Sequence, residues 1–136
     1  MPKVIINDAK GLVQQAGSGV DFKSALRLDI QSVTATDDGT GTGVIAASPS
    51  MVVVDADGDA NHIVTLPAPV AGTMLTIYVG ATGCELQSSA PATVGINGVT
   101  GAGVELAIPA QGIVQCVCTS ATNWAAQLGA TATPGA

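Results

Sequence analysis

Three aspartates at alternate positions, Asp55, Asp57 and Asp59, stand just before the chain's one histidine, His62, and these are the residues best spaced for chemistry. Carboxylates two apart in a tight turn can converge on a divalent cation, which is how calcium loops use this spacing. The rest of such a loop is missing. Gly58 comes too early, Ala60 occupies the glycine position, and Leu66 stands where a bidentate glutamate belongs. Asp, Gly and Asn also supply turn geometry in an ordinary solvated loop, and the segment reads as one, with no metal expected. His62 is the only candidate proton shuttle, yet no Gly-x-Ser-x-Gly nucleophile turn accompanies it. No acid pair is spaced for glycoside chemistry either. No catalytic residue is assigned, no enzyme activity is expected, and no cofactor is called for.

Cys84, Cys116 and Cys118 form an odd set. Cys116 and Cys118 are two apart on a predicted strand and so point to one face. A metal site would need more ligands, and His62 is far away in sequence. We read all three as free thiols buried as small hydrophobes, in a reducing compartment. The glycine-rich stretches 39–43 and 95–103 lack the following helix and the lysine of a phosphate loop, and read as turns. Trp124, the single tryptophan, reads as a cover for one end of the core rather than a stacking platform for a sugar.

Charge divides the chain in two. Lys3, Lys10, Lys23 and Arg27 are its only basic residues, and the first 27 positions set these four against two acids, Asp8 and Asp21. Everything beyond carries eight acids and no Lys or Arg. Such a body repels phosphate, and four dispersed cations make no nucleic-acid footprint. The hydrophobic fraction of 47% excludes disorder for most of the chain. No apolar run approaches the ~18 residues of a membrane helix, and no secretory leader is visible at Met1–Asp8. Neither nucleic acid nor membrane is therefore expected as a partner. One Trp, one Tyr and one Phe leave Val, Ile, Leu and Ala to fill the interior. A core without aromatic area gains from burial against further copies of the chain.

The elements that must position these residues read as β throughout. Val4–Ile6 and Gly11–Gln14 are short β pieces in an arm, and Phe22–Asp29 has an alternative reading as one helical turn. From Leu28 onward short strands alternate with turn signals about every ten residues, the pattern of a sandwich or barrel. Strands are expected near 28–33, Val44–Ala47, Met51–Val54, His62–Leu66, Thr73–Val79 (the longest), Cys84–Gln87, Thr93–Ile96, Val104–Ile108, Ile113–Thr119 and Asn123–Gln127. Met51–Val54 is apolar on both faces and belongs in a covered or central position. The 55–61 loop joins its flanking strands as a hairpin, and Pro67 and Pro69 end the ladder that precedes them. Asn97-Gly98 is the strongest two-residue turn signal.

The run Val64-Thr65-Leu66-Pro67-Ala68-Pro69-x-Ala71-Gly72-Thr73, with Leu75–Val79, Val94–Gly98 and Thr119–Trp124 after it, resembles β-rich modules of bacteriophage virion proteins. These are modules of head decoration (cement) proteins, head fibres and tail fibres. The likeness covers residues 64–127. A compact chain with an N-terminal arm and no long repeat or coiled coil is most similar to the cement proteins. The resemblance implies a trimer on the outer surface of a phage head, at threefold or quasi-threefold positions, bridging neighbouring major capsid proteins against internal pressure. No site residue is carried over from the family.

The expected protein is thus all-β, a β-sandwich, jelly-roll-like, of eight to nine short antiparallel strands. Residues 1–27 form an extended N-terminal arm, 28–128 the sandwich body, and 129–136 a loose C-terminal tail. Its expected role is capsid decoration in the virion, after assembly in the host cytoplasm, with the major capsid protein and further copies of itself as partners. The capsid-contact residues are Lys3, Val4, Ile5, Ile6, Lys10, Leu12, Val13, Lys23 and Arg27. The alternative is a head-fibre or tail-fibre component that recognises a host surface.

Overall fold

The computed structural model describes residues 4–7, 11–14, 28–55 and 58–129, the first two segments as backbone only. Among the described residues there is no α-helix, and the chain is all-β. β1 (Val4–Asn7) and β2 (Gly11–Gln14) pair antiparallel as a separate two-stranded sheet, with Ile5 opposite Val13 and Ile6 opposite Leu12. Both β pieces expected in the arm are therefore present, and they pair with each other. The proposed helical turn falls mainly on 22–27, outside the described residues.

The body holds nine strands. They are β3 (Ile30–Thr34), β4 (Met51–Asp55), β5 (Ile63–Thr65), β6 (Met74–Val79), β7 (Cys84–Gln87), β8 (Gly95–Ile96), β9 (Leu106–Ile108), β10 (Ile113–Ser120) and β11 (Asn123–Leu128). A six-stranded sheet runs β3-β4-β6-β10-β11-β8, and a three-stranded sheet runs β5-β7-β9. One core joins them. Val52, Val54, Ile77, Val79, Val114 and Trp124 contribute from the large sheet, and Val64, Leu66, Leu86 and Ile108 from the small sheet and its continuation. Period-2 alternation selects these residues. In β10, Val114, Cys116 and Cys118 are buried while Ile113, Gln115 and Val117 are exposed, because successive side chains leave opposite faces of a pleated strand.

The antiparallel expectation is corrected. β3–β4, β4–β6, β5–β7 and β11–β8 are parallel pairs, so both sheets are mixed. The reason lies in the connections. The 55–61 segment does not close a hairpin. It carries the chain out of the large sheet at β4 and into the small one at β5. The chain then returns for β6 and crosses again for β7, β8, β9 and β10. Strands that re-enter a sheet after a crossing can lie parallel to their predecessor, as β4 and β6 do. Within the body, β10–β11 is the hairpin between consecutive strands. The longest strand is β10 rather than β6. Val44–Ala47 makes only a single bridge, Val44 to Thr65.

Other expectations hold. β4 lies between β3 and β6. The last ladder bond beside Pro67 is Leu66 N–H to the Gln87 carbonyl at 2.8 Å, and residues 67–70 then leave the sheet. Asn97 (φ 54°) and Gly98 (φ 79°) make the tight turn that brings Ile96 against Val99. Asn97 does more than turn the chain. Its amide nitrogen donates to Ala126 O at 3.0 Å, and its amide oxygen accepts from Ala126 N–H at 2.8 Å. The side chain thereby imitates a backbone partner for the exposed end of β11. Gln31 does the same for the 44–46 segment, donating to Val44 O (3.2 Å) and accepting from Ala46 N–H (2.9 Å).

The three cysteines are buried and unpaired. Burial pushes the Cys84 thiol up to about 11, with Glu85 adding to it, and the Cys116 thiol up to about 12. Thiolate is the reactive form. A thiol reagent at pH 8 will therefore modify the native protein far more slowly than the denaturant-unfolded chain, which releases three thiols; equal rates in the two states would contradict the packing. Asn97→Ala loses both amide bonds and the left-handed preference and is expected to cost about 2 kcal/mol in denaturant unfolding. Asn97→Gly recovers the backbone conformation alone and should fall between that variant and the wild type.

Candidate functional site

Of the sequence-selected residues, Asp59 and His62 lie on the small-sheet side, while Asp55 ends β4 of the large sheet opposite Thr34. Thr36 and Ile63 exchange two backbone hydrogen bonds (3.1 and 2.7 Å), which sets Asp37 beside His62. His62 Nε2 lies 2.5 Å from Asp37 Oδ1 and 3.9 Å from Asp59 Oδ2, with the imidazole largely buried and Asp37 in solvent. Asp59 also shapes its own loop. Its Oδ1 accepts from the backbone N–H (2.9 Å) and side-chain amide (3.1 Å) of Asn61. This is the turn chemistry expected of the segment, and Asp57 lies outside the described residues. Among the described residues no three metal-type side chains converge.

Beside this group, Glu85 of β7 shares a hydrogen bond with Glu105. That contact, then burial, then the charges of Glu105 and Asp59, hold the Glu85 carboxyl above its ordinary range. Asp38 moves the other way, because the Thr40 side chain and backbone donate to it and stabilise its ionised form.

Two glycines of the loop after Asp37 and Asp38, Gly39 and Gly43, lie hard against β5, whereas Gly41 faces open space. Gly39 has φ 68°, and a Cβ there would fall 2.5 Å from Thr65 Oγ1 and 2.7 Å from Ile63 Cγ2. Thr65 Oγ1 donates to Gly39 O at 2.7 Å and pins the loop down. The sequence gives no sign of this close approach. Between the loop and the end of β7 is an open groove of about 450 Å³ lined by Asp38, Thr40, Thr65, Gln87, Ser88 and Ser89. Its hydroxyls are largely committed. Thr40 donates to Asp38, Thr65 to Gly39, and the buried Ser88 to Val94 O at 2.6 Å. Asp38, held ionised by Thr40, is a weak base.

Trp124 is fully buried against the core and has no face to offer a sugar ring. Of the arm residues assigned to capsid contact, Val4, Ile5, Ile6, Leu12 and Val13 fall in the β1–β2 hairpin. Lys3, Lys10, Lys23 and Arg27 lie outside the described residues.

The surface that sequence reasoning missed is the outer face of the large sheet. Register places three rows across it. The first is Ile30, Met51, Thr76, Gln115 and Gln127; the second is Ser32, Val53, Tyr78 and Ile113; the third is Met74, Val117 and Ala125. No member of these rows is charged, and the nearest acid on the same face is Asp55, the last residue of β4. Five carboxylates, Asp37, Asp38, Asp59, Glu85 and Glu105, lie instead on or beside the small sheet. The signal was present in each strand as neutral outward positions, but only register assembles it. Protein-family profiles, curated protein sequences and solved structures contain no match to this chain.

The glutamate pair gives a pH signature. A carboxyl whose pKa is raised on folding binds protons more tightly in the folded state, so stability is highest below the ordinary carboxyl range and declines as pH rises through the raised value. Glu85→Gln removes the second ionisation. The variant should melt higher than the wild type at pH 7, the two should converge near pH 4, and added salt should shrink the difference. Identical pH profiles for the two proteins would show that the pair is not electrostatically coupled.

Proposed function

We propose that this chain is a phage capsid decoration protein, which binds the outer surface of the head as a trimer and stabilises the lattice of the major capsid protein. The observation that carries this reading is the partition of charge: every basic residue precedes position 28, and the whole body beyond is acidic. The β1–β2 hairpin falls inside the basic segment. A hairpin has two free edges, and an edge can add to an exposed strand of a partner. Basic residues around it then pair with carboxylates of a capsid surface. Three arms on one trimer bind together, and the resulting avidity offsets the entropy of ordering each of them.

The body, read as a two-layer sandwich, acts as a compact plug between neighbouring subunits. Its acidic exterior keeps finished particles apart. In its groove Thr40 is bonded to Asp38, Thr65 to Gly39 O and Ser88 to Val94 O, which ties three of the hydroxyls to the fold. On this reading the protein resides on the virion surface after assembly in the host cytoplasm.

The test uses heads of the encoding phage stripped of this protein. The full-length chain should rebind them with an affinity that falls steeply with salt. Replacing Lys3, Lys10, Lys23 and Arg27 together by Glu should lower binding at least a hundredfold and leave the melting temperature within a few degrees. Undiminished binding by that variant would refute the arm as the docking element.

A further inference from the structure

The three uncharged rows on the outer face of the large sheet, which stop short of Asp55 at the end of β4, are a feature that the proposed function leaves unused. The face spans five strands, β3, β4, β6, β10 and β11, about 4.8 Å apart and up to eight residues long. In projection that is roughly 500 Å² of uncharged surface, in which Ser32, Thr76, Gln115 and Gln127 stand among the apolar side chains. Side-chain relief raises the accessible area further, towards the ~800 Å² per partner of a standard interface. Met74 is 69% exposed, Ile30 57% and Ile113 46%, in a protein whose core holds a single aromatic side chain, Trp124. Ala125, opposite Val117, leaves a shallow depression of about 170 Å³ floored by Gln115, Val117, Ala125 and Gln127. A neighbouring side chain can seat there.

We infer that this face is where the chain binds further copies of itself. Electrostatics chooses the occupant. A body with eight acids and no base repels a second copy of itself through any charged surface. The three rows short of Asp55 on the outer face of the large sheet are the broad area where two copies can meet without bringing carboxylates together or stripping water from an ion. With the sheets inward, the Asp37–Asp59–Glu85–Glu105 side of each copy points away from the others. Three such faces turned toward one axis would bury their apolar side chains together, with Gln115 and Gln127 free to pair across the axis. This assignment rests on the homo-oligomer of the proposed function and names the surface that forms it.

Light scattering on the full-length chain at micromolar concentration tests it. The wild type should have three times the 13.3 kDa chain mass. Val53→Lys and Val117→Lys should each run at the mass of one chain, with unchanged far-UV circular dichroism and a cooperative melt, while Gln87→Lys on the small sheet keeps the wild-type mass. Gln115→Glu is isosteric at an exposed position, so it leaves folding intact even if the lysine variants misfold. It should raise the dissociation midpoint at least tenfold, and high salt should partly reverse the effect. Face variants that keep the wild-type mass would overturn the assignment while the oligomer stands. If they keep that mass but no longer bind heads, the face docks on the capsid protein, and the self-association assignment is wrong. A wild type that is a single chain would remove the oligomer and this face with it, whereas the arm's binding to heads would be judged separately.

Discussion

The structure depends on one constraint: after nearly every strand the chain must cross between two sheets whose buried side chains form a single core. Each strand presents alternate side chains to that core, and the crossings decide which layer the next strand joins. Val52 and Val54 face inward from one sheet, Val64 and Leu66 from the other, and Ile77 and Val79 from the first again. Parallel neighbours follow, because β4 and β6 re-enter the large sheet after an excursion to the small one. Packing is therefore shared between layers at each step, and no single hairpin holds a local core of its own.

Crossing chains leave ragged margins, and amide side chains finish them. Gln31 supplies a donor and an acceptor to the 44–46 segment, which bridges β5 through Val44, and Asn97 does the same for Ala126 at the end of β11. Asn123 adds a third case: its side-chain oxygen accepts from Gly98 N–H at 2.9 Å, and its side-chain nitrogen donates to Thr119 Oγ1 at 2.9 Å. Backbone groups that lack a ladder partner must bond elsewhere or lose stability. In this fold the need is met by side chains fixed within neighbouring strands.

The sequence displays the strands well and their arrangement poorly. Alternation marks Cys84–Gln87 and Ile113–Thr119 almost to the residue, since a half-buried strand must repeat every second position. Asn97-Gly98 is equally plain, because few residues adopt two successive positive φ values. The layer that a strand joins leaves no such trace. His62–Leu66 alternates in the same way whether it returns beside Met51–Val54 or crosses away from it, and the hairpin reading failed for that reason. Gly39 is required by contact with Thr65 and Ile63 across 24 or more residues of chain, which no local pattern reveals. The neutral face of the large sheet was hidden likewise: Thr76, Gln115 and Gln127 are unremarkable singly and become a row only when β6, β10 and β11 are side by side.

The position of β10 has a consequence for how the chain reaches this state. This strand sits inside the large sheet, between β6 and β11, yet it is the last but one of the strands in chain order. Ile77 pairs with Val114, and Leu75 with Cys116, so β6 waits for a partner that lies 35 or more residues further along the chain. Contacts so distant along the chain must close large loops before they return any energy, and such topologies fold on the order of milliseconds to seconds. β3 to β9 all precede in the chain the strand that fills the middle of the large sheet, and until Ile113–Ser120 is in place β6 has no neighbour on its β10 side.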